Sequence, residues 1–281
     1  MTIALATCSL LPDGSDDVRD LVGALGSLGA EAEPVVWDGD VDWSRYDLVV
    51  VRSTWDYTSR RDEFVAWAES LPRVLNPAEV IRWNTDKRYL RDLAGAGVPV
   101  VPTLWDPDDI PSEWPEYVIK PAVSIGSGDT ARWGPGEEER ARAHLRSLRD
   151  AGRTAMVQPY LSAVDSVGET ALVFCDGEYS HAGRKAQILT AGAGIEGPVR
   201  NDRTRGQVSA STATEAELDV ANRALAAVPG GENLLYARVD LIPGPDGSPL
   251  IIELELTEPN LYLHHAPGSA ESFAKAIAAR L

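Results

Sequence analysis

The stretch at residues 236–261 leaves the chain few choices. Pro243-Gly244-Pro245-Asp246-Gly247 separates two runs of β-type residues, Tyr-Ala-Arg-Val-Asp-Leu-Ile before it and Ile-Ile-Glu-Leu-Glu-Leu-Thr after it. A turn this rich in proline and glycine ends any helix and favours a hairpin. Because alternate residues of a strand share a face, Glu253, Glu255 and Thr257 are expected on one side and Ile252, Leu254 and Leu256 on the other. Arg238 and Asp240 share a face of the partner strand in the same way. In register, three carboxylates and one guanidinium would converge. Carboxylates that close repel one another unless they take up protons or a cation. Hard oxygen ligands suit Mg²⁺, which usually completes its shell with phosphate oxygens. Asp240, Glu253 and Glu255 are therefore candidate metal ligands. The competing reading is a half-exposed hairpin with an acidic solvent face, and for the hairpin alone it is the plainer one.

The rest of the chain changes that balance. At 281 residues it has room for two or three closely packed lobes, placed here at 1–84, 85–160 and 161–281. A net charge of −17 argues against nucleic acid or an anionic membrane as partner. It does not argue against a nucleotide, for which a local cationic pocket is enough. Cys8 and Cys175 each lie beside apolar strand-type residues and read as small core residues in a reducing compartment. No apolar run is long enough to span a bilayer, and the first residues enter a strand pattern without a basic leader, so a cytoplasmic protein is expected.

At the N-terminus a strand, a helix with Val18, Leu21, Val22, Leu25 and Leu28 at helical spacing, and two further strands imply an α/β lobe with a largely parallel sheet. Arg52, Ser53 and Thr54 follow the third strand directly. Ligands gather at the carboxyl ends of such strands, and a guanidinium binds carboxylate bidentately, so these three are candidates for holding a carboxylate substrate. The alternative makes Arg52 a surface ion-pair partner and Trp55 and Tyr57 packing residues. Glu258 and Asn260, just past the acidic strand, complete the substrate-side candidates. Asn84 or Thr85 is placed to cap a helix running through Leu93.

A strand ending on Lys120 runs into the small-residue loop 122–129, which contains Ser127. Backbone N–H groups and an ammonium so placed can neutralise polyphosphate; a lone Gly-Ser-Gly is more often only a turn. Gln158, Pro159, Tyr160 and Leu161 close another strand. A second hairpin over residues 169–187 sends Arg184 and Lys185 to opposite faces, leaving one of them to reach a phosphate. Residues 191–213, rich in Gly, Ser, Thr and Arg, read as a mobile loop over the site. His264-His265 lacks a third imidazole nearby in sequence and reads as structural or substrate-contacting.

Taken in order, Lys87, Lys120 before Gly-Ser-Gly, Gln158-Pro159-Tyr160-Leu161, Arg238-x-Asp240 and Glu253-x-Glu255 resemble the ATP-grasp superfamily, and within it the glutathione synthetase-like branch. Val-Arg-Ser-Thr-Trp-Asp-Tyr and Trp-Asn-Thr-Asp-Lys-Arg-Tyr-Leu further resemble a subgroup that includes the cyclo-ligase of D-cycloserine biosynthesis. The likeness spans nearly the whole chain. It implies an α/β fold in which an N-terminal parallel lobe precedes central and C-terminal lobes whose antiparallel sheets clasp ATP. It implies that Lys87 and Lys120 contact the phosphates and that the backbone around residues 158–161 binds adenine; Ser127 and Lys185 are further candidates for holding the nucleotide. Asp240, Glu253 and Glu255 would hold two Mg²⁺, and Arg238, with Lys120, would stabilise the transferred phosphoryl group. The family usually has Glu-x-Asn where this chain has Glu253-x-Glu255, and an acid where it has Pro159. Relatives are often homo-oligomers.

The activity so implied is ATP-dependent ligation. Phosphorylating a carboxylate gives an acyl phosphate with a good leaving group, which a nitrogen nucleophile displaces. In the sharpest version the substrate is O-ureido-serine, closed to cycloserine with loss of its carbamoyl group. Two alternatives are an ATP-grasp peptide ligase with a separate amine substrate, and an ATP-binding module that regulates a partner without catalysis.

Overall fold

A computed structural model describes residues 1–186, 189–195 and 208–281. Its first lobe is a parallel sheet in the order β2-β1-β3-β4, built from β1 (Thr2–Thr7), β2 (Glu31–Val36), β3 (Leu48–Ser53) and β4 (Val74–Leu75). Helices α1 (Asp16–Ser27) and α2 (Arg61–Ser70) supply the crossovers. β3 is buried along its whole length, as its unbroken apolar run requires when both sheet faces are covered.

Two short helices follow, α3 (Ala78–Asn84) and α4 (Tyr89–Gly95). The helix expected from Asn84 or Thr85 through Leu93 begins only at Tyr89. Asn84 ends one helix instead of capping the next, because its amide is engaged elsewhere. Its Nδ2 donates to the Leu254 carbonyl at 2.7 Å, and its Oδ1 accepts from the Leu256 N–H at 2.7 Å.

The second sheet, order β5-β8-β6-β7, is antiparallel: β5 (Leu104–Trp105), β6 (Tyr117–Pro121), β7 (Ala131–Trp133) and β8 (Ala155–Pro159). Helix α5 (Glu138–Asp150) covers one face, packing Ala141, Leu145 and Leu148 on Tyr117, Ile119 and Trp133. Past a single-turn helix α6 (Val164–Val167), the third sheet has β9 (Glu169–Cys175), β10 (Glu178–Lys185), β11 (Val208–Ser211), β12 (Tyr236–Pro243) and β13 (Pro249–Glu255), in the order β11-β10-β9-β12-β13. Residues 208–211, expected in a loop, are a strand paired with β10. The remainder of that expected loop at 196–207, and the hairpin's last residue Gln187, lie outside the described residues.

Helix α7 (Glu215–Ala226) opens on a capping box between Thr214 and Glu217. It packs Val220, Ala221 and Ala224 against the apolar face of the third sheet, where Leu172, Val239 and Leu254 lie. The opposite face of that sheet carries Arg238, Asp240, Glu253 and Glu255.

The β12–β13 hairpin pairs Arg238 with Glu255 and Asp240 with Glu253, then slips register between Asp240 and Leu241. This bulge resets the alternation. Ile251 therefore joins Leu254 and Leu256 in the core, and Ile252, expected with them, packs in a separate cluster beside Val101 and Ile242.

Each proposed segment contains one sheet, but the packing crosses their borders. Helix α8 (Ser269–Ala278) sends Phe273 and Ile277 into the core of the first lobe beside Leu21 and Leu25. Asp17, in the first turn of α1, accepts from the Leu261 and Leu263 N–H groups at 2.6 and 3.1 Å. Asn76 makes the tightest such joint. Fully buried, it donates to the Tyr236 and Leu256 carbonyls at 2.9 and 2.8 Å and accepts from the Leu235 N–H at 2.7 Å. Asn76→Ala strands three buried backbone groups at once, and one unsatisfied buried group alone costs about 1–3 kcal/mol. The variant is expected to lose about 3 kcal/mol or more in urea unfolding; an unchanged midpoint would mean that this joint contributes nothing.

Candidate active site

The second and third sheets turn their polar faces toward one cavity. Val118, Lys120 and Gln158 line it from the second sheet, Lys185, Arg238, Glu253 and Glu255 from the third. Lys87, in the turn between α3 and α4, closes the side between them.

At one corner, oxygens of Asp240, Glu253 and Glu255 lie within 4.8 Å of one another. The strand pairing puts them there: Asp240 sits opposite Glu253, and Glu255 is two residues further along the same face. Cations surround them. Arg238 forks onto Asp240 through Nε and Nη2, each at 2.9 Å, and also donates to Glu255. Lys185 Nζ bridges Asp240 at 2.7 Å and Glu169 at 2.8 Å. Lys87 Nζ lies 2.9 Å from Glu253 and donates to the Ser124 carbonyl at 2.6 Å.

These contacts separate the three acids. Burial would raise Asp240, but Arg238 and Lys185 overcome it and hold the carboxyl at about 2. Burial likewise opposes ionisation of Glu253, and Lys87 and Lys120 reverse it, leaving that group below its ordinary value. For Glu255 burial prevails over Arg238, with Glu253 and Asp240 repelling its charge, and pushes it up to about 7. The all-oxygen donor set of this corner fits magnesium.

The strand end Gln158, Pro159, Tyr160 and Leu161 also lines the cavity. Gln158 Nε2 donates to Thr103 Oγ1 at 2.9 Å, and the Arg132 guanidinium lies 3.5 Å from the Tyr160 ring centre. Ser127 lines the cavity as well, at a backbone φ of +60°. Of the hairpin pair Arg184 and Lys185, Lys185 is the one that lines it.

The substrate-side candidates divide. Glu258 and Asn260 line the cavity. Arg52, Ser53 and Thr54 do not: all three are buried behind it, Arg52 only 2% exposed. The Arg52 guanidinium lies over the Tyr236 ring at 4.8 Å and donates through Nη2 to the Pro259 carbonyl at 2.6 Å. It supports the loop that carries Glu258 and Asn260, and its burial excludes a role as a surface ion-pair partner. The strand-end rule placed it at the correct edge of the sheet, but residues 257–261 cover that edge. The His264 and His265 rings lie 4.1 Å apart at a tilt of 42°, and neither residue lines the cavity.

Three contributors escaped the sequence reading. Tyr57 and Trp55 line the cavity, and the Tyr57 hydroxyl donates to Glu258 Oε1 at 3.2 Å. Glu169, which pairs with Lys185, was recoverable from the hairpin register, since the two residues are direct cross-strand partners.

A family model described as the N-terminal domain of D-cycloserine synthetase DcsG matches residues 3–76. The cycloserine biosynthesis protein DcsG of Streptomyces lavendulae is 38% identical, over 99% of this chain and 98% of its own. The crystal structure of D-cycloserine synthetase DcsG superposes with a TM-score of 0.89 at 37% identity, covering 100% of this chain and 99% of that one. The ATP-grasp ligase PsnB, complexed with its minimal precursor, gives a TM-score of 0.66 at 18% identity over 100% and 99% of the two chains, a likeness of fold.

Proposed function

Because this chain belongs to the DcsG family of ATP-grasp ligases, we propose that it activates the carboxylate of O-ureido-serine with ATP and closes the molecule to cycloserine. One observation carries the reading: the Asp240, Glu253 and Glu255 corner opens into the same cavity as Lys87, Lys120 and Lys185.

The nucleotide lies between the second and third sheets, its base against residues 158–161 and its phosphates toward Lys120, Lys185 and the loop at Ser127. Asp240, Glu253 and Glu255 would hold two magnesium ions. When bound, magnesium neutralises phosphate charge that would otherwise repel the incoming carboxylate. Arg238 is pinned by its fork on Asp240 and by donating through Nη1 to the Asn260 carbonyl at 3.0 Å. So held, it stabilises the transferred phosphoryl group without having to reorganise. Glu258 and Asn260 face the substrate, with Trp55 and Tyr57 as its wall. The ureido nitrogen then displaces phosphate from the acyl phosphate, and the carbamoyl group is lost. The cytoplasm, where ATP is abundant, is the compartment this requires.

The test is ADP release with Mg·ATP and a panel of amino-acid carboxylates. Stimulation by O-ureido-serine alone, with cycloserine appearing, is expected. ADP that appears only when a second amine is added would favour a peptide ligase. Nucleotide binding without any stimulated ADP release would favour the regulatory module.

A further inference from the structure

Ring closure needs something that the phosphoryl-transfer machinery lacks. The attacking nitrogen carries a proton that must leave as the carbon–nitrogen bond forms. Lys87, Lys120, Lys185 and Arg238 are cations and donate. Glu253 is engaged by Lys87, Glu255 by Arg238 and Glu169 by Lys185. Among the described residues, Glu258 is the cavity-lining carboxyl group that no cation pairs with.

Its surroundings hold it in place. The residue is 9% exposed, and its carboxyl oxygen receives the Tyr57 hydroxyl at 3.2 Å. The Tyr57 ring is stacked on Phe64 with centroids 4.5 Å apart. Trp55 Nε1 donates to the Glu258 carbonyl at 3.0 Å, and Arg52 secures the next carbonyl. The N-terminal lobe thus holds the backbone on either side of this residue and one oxygen of a carboxyl group that the third sheet leaves without a counter-ion.

We propose that Glu258 is the proton acceptor for ring closure, with Tyr57 as its positioning residue. This rests on the ligase reading above. In the step, the substrate nitrogen attacks the acyl carbon and the N–C bond forms. The bond from carbon to the phosphate oxygen breaks, its electron pair leaving with phosphate, and the nitrogen's proton passes to a Glu258 carboxyl oxygen and from there to solvent on product release. Burial, reinforced by the charge of Glu255, pushes Glu258 up to about 8, which gives it a basicity closer to working pH than an ordinary carboxylate has.

The experiment separates phosphorylation from closure. Wild-type protein and Glu258→Gln are given Mg·ATP and O-ureido-serine, with and without hydroxylamine. Hydroxylamine is a strong neutral nucleophile that traps an acyl phosphate as a hydroxamate without help from a base. For Glu258→Gln, hydroxamate formation is expected to fall no more than about tenfold and cycloserine formation by a further ~10²-fold, the usual contribution of a general base. Retained trapping also shows that the variant is folded. Equal losses of hydroxamate and cycloserine would overturn the proposal, since Glu258 would then act in binding before phosphorylation. Unimpaired closure would overturn it too. Wild-type protein that yields neither ADP nor hydroxamate would fail the ligase reading itself.

Discussion

Glu253→Gln is expected to abolish nearly all turnover while leaving the fold intact. Glutamine keeps the shape and removes one unit of charge from a corner that must gather positive ions beside a triphosphate. Losing one such stabilising group costs about 10²–10³ in kcat, and here the same carboxylate would also be a ligand, so the loss is expected at or beyond the upper end. The fold survives because the side chain is 26% exposed and the cation it leaves behind, Lys87, still donates to the Ser124 carbonyl at 2.6 Å. ADP release assays across a magnesium titration, set beside thermal melts, check both halves. Turnover near that of the wild type at ordinary magnesium concentration would remove Glu253 from the metal corner.

That prediction needed little beyond the sequence, and the reason is local. Two-residue alternation on a strand with an obvious turn decides which side chains share a face, so the acidic corner and its guanidinium could be read from the β12–β13 stretch alone. The same local reasoning failed at Ile252, where a bulge inserted one residue that no spacing rule announces. It failed differently at Arg52. A buried guanidinium resting on an aromatic ring with one carbonyl for a partner resembles, in sequence, an arginine awaiting a carboxylate. Only the position of the 257–261 loop, more than two hundred residues away in the chain, distinguishes them. Asn76 and Asn84 are the same case in polar form. Asn84 is placed in sequence to cap a helix, yet it and Asn76 satisfy backbone groups of β12, β13 and the residues beside them. Long-range hydrogen bonds leave no periodic trace.

The charge balance of the cavity leads to the other large effect. Among the described residues, four carboxyl groups (Glu169, Glu253, Glu255 and Glu258) and four cations (Lys87, Lys120, Lys185 and Arg238) line it. A triphosphate entering it arrives with metal ions or meets a cation that is not already engaged. Lys87, Lys185 and Arg238 are each in contact with a carboxylate. Among the described residues, no carboxylate pairs with Lys120. Burial, against the attraction of Glu253, holds its ammonium below the ordinary lysine range.

Lys120→Met should accordingly move stability and activity in opposite directions. Replacing a desolvated, unpaired ammonium with a thioether of similar reach relieves a cost in the nucleotide-free protein, so its melting temperature is expected to rise. The sign follows from linkage. A base whose pKa is depressed on folding destabilises the fold wherever the folded state must carry the charge, so the gain is present at pH 7. It shrinks as pH climbs toward the ordinary lysine value of about 10.4. In catalysis the same change removes the free cation that meets the phosphates, and kcat/KM for ATP should fall by about 10²–10³. Mg·ATP, which stabilises the wild-type protein by an amount set by its concentration relative to Kd, should add correspondingly less to the variant. Melting curves with and without Mg·ATP at pH 7 and pH 9, together with ADP kinetics, test all of this. A variant less stable than wild type in the absence of nucleotide would mean that Lys120 is already satisfied within the fold, and that the phosphates are received by another group.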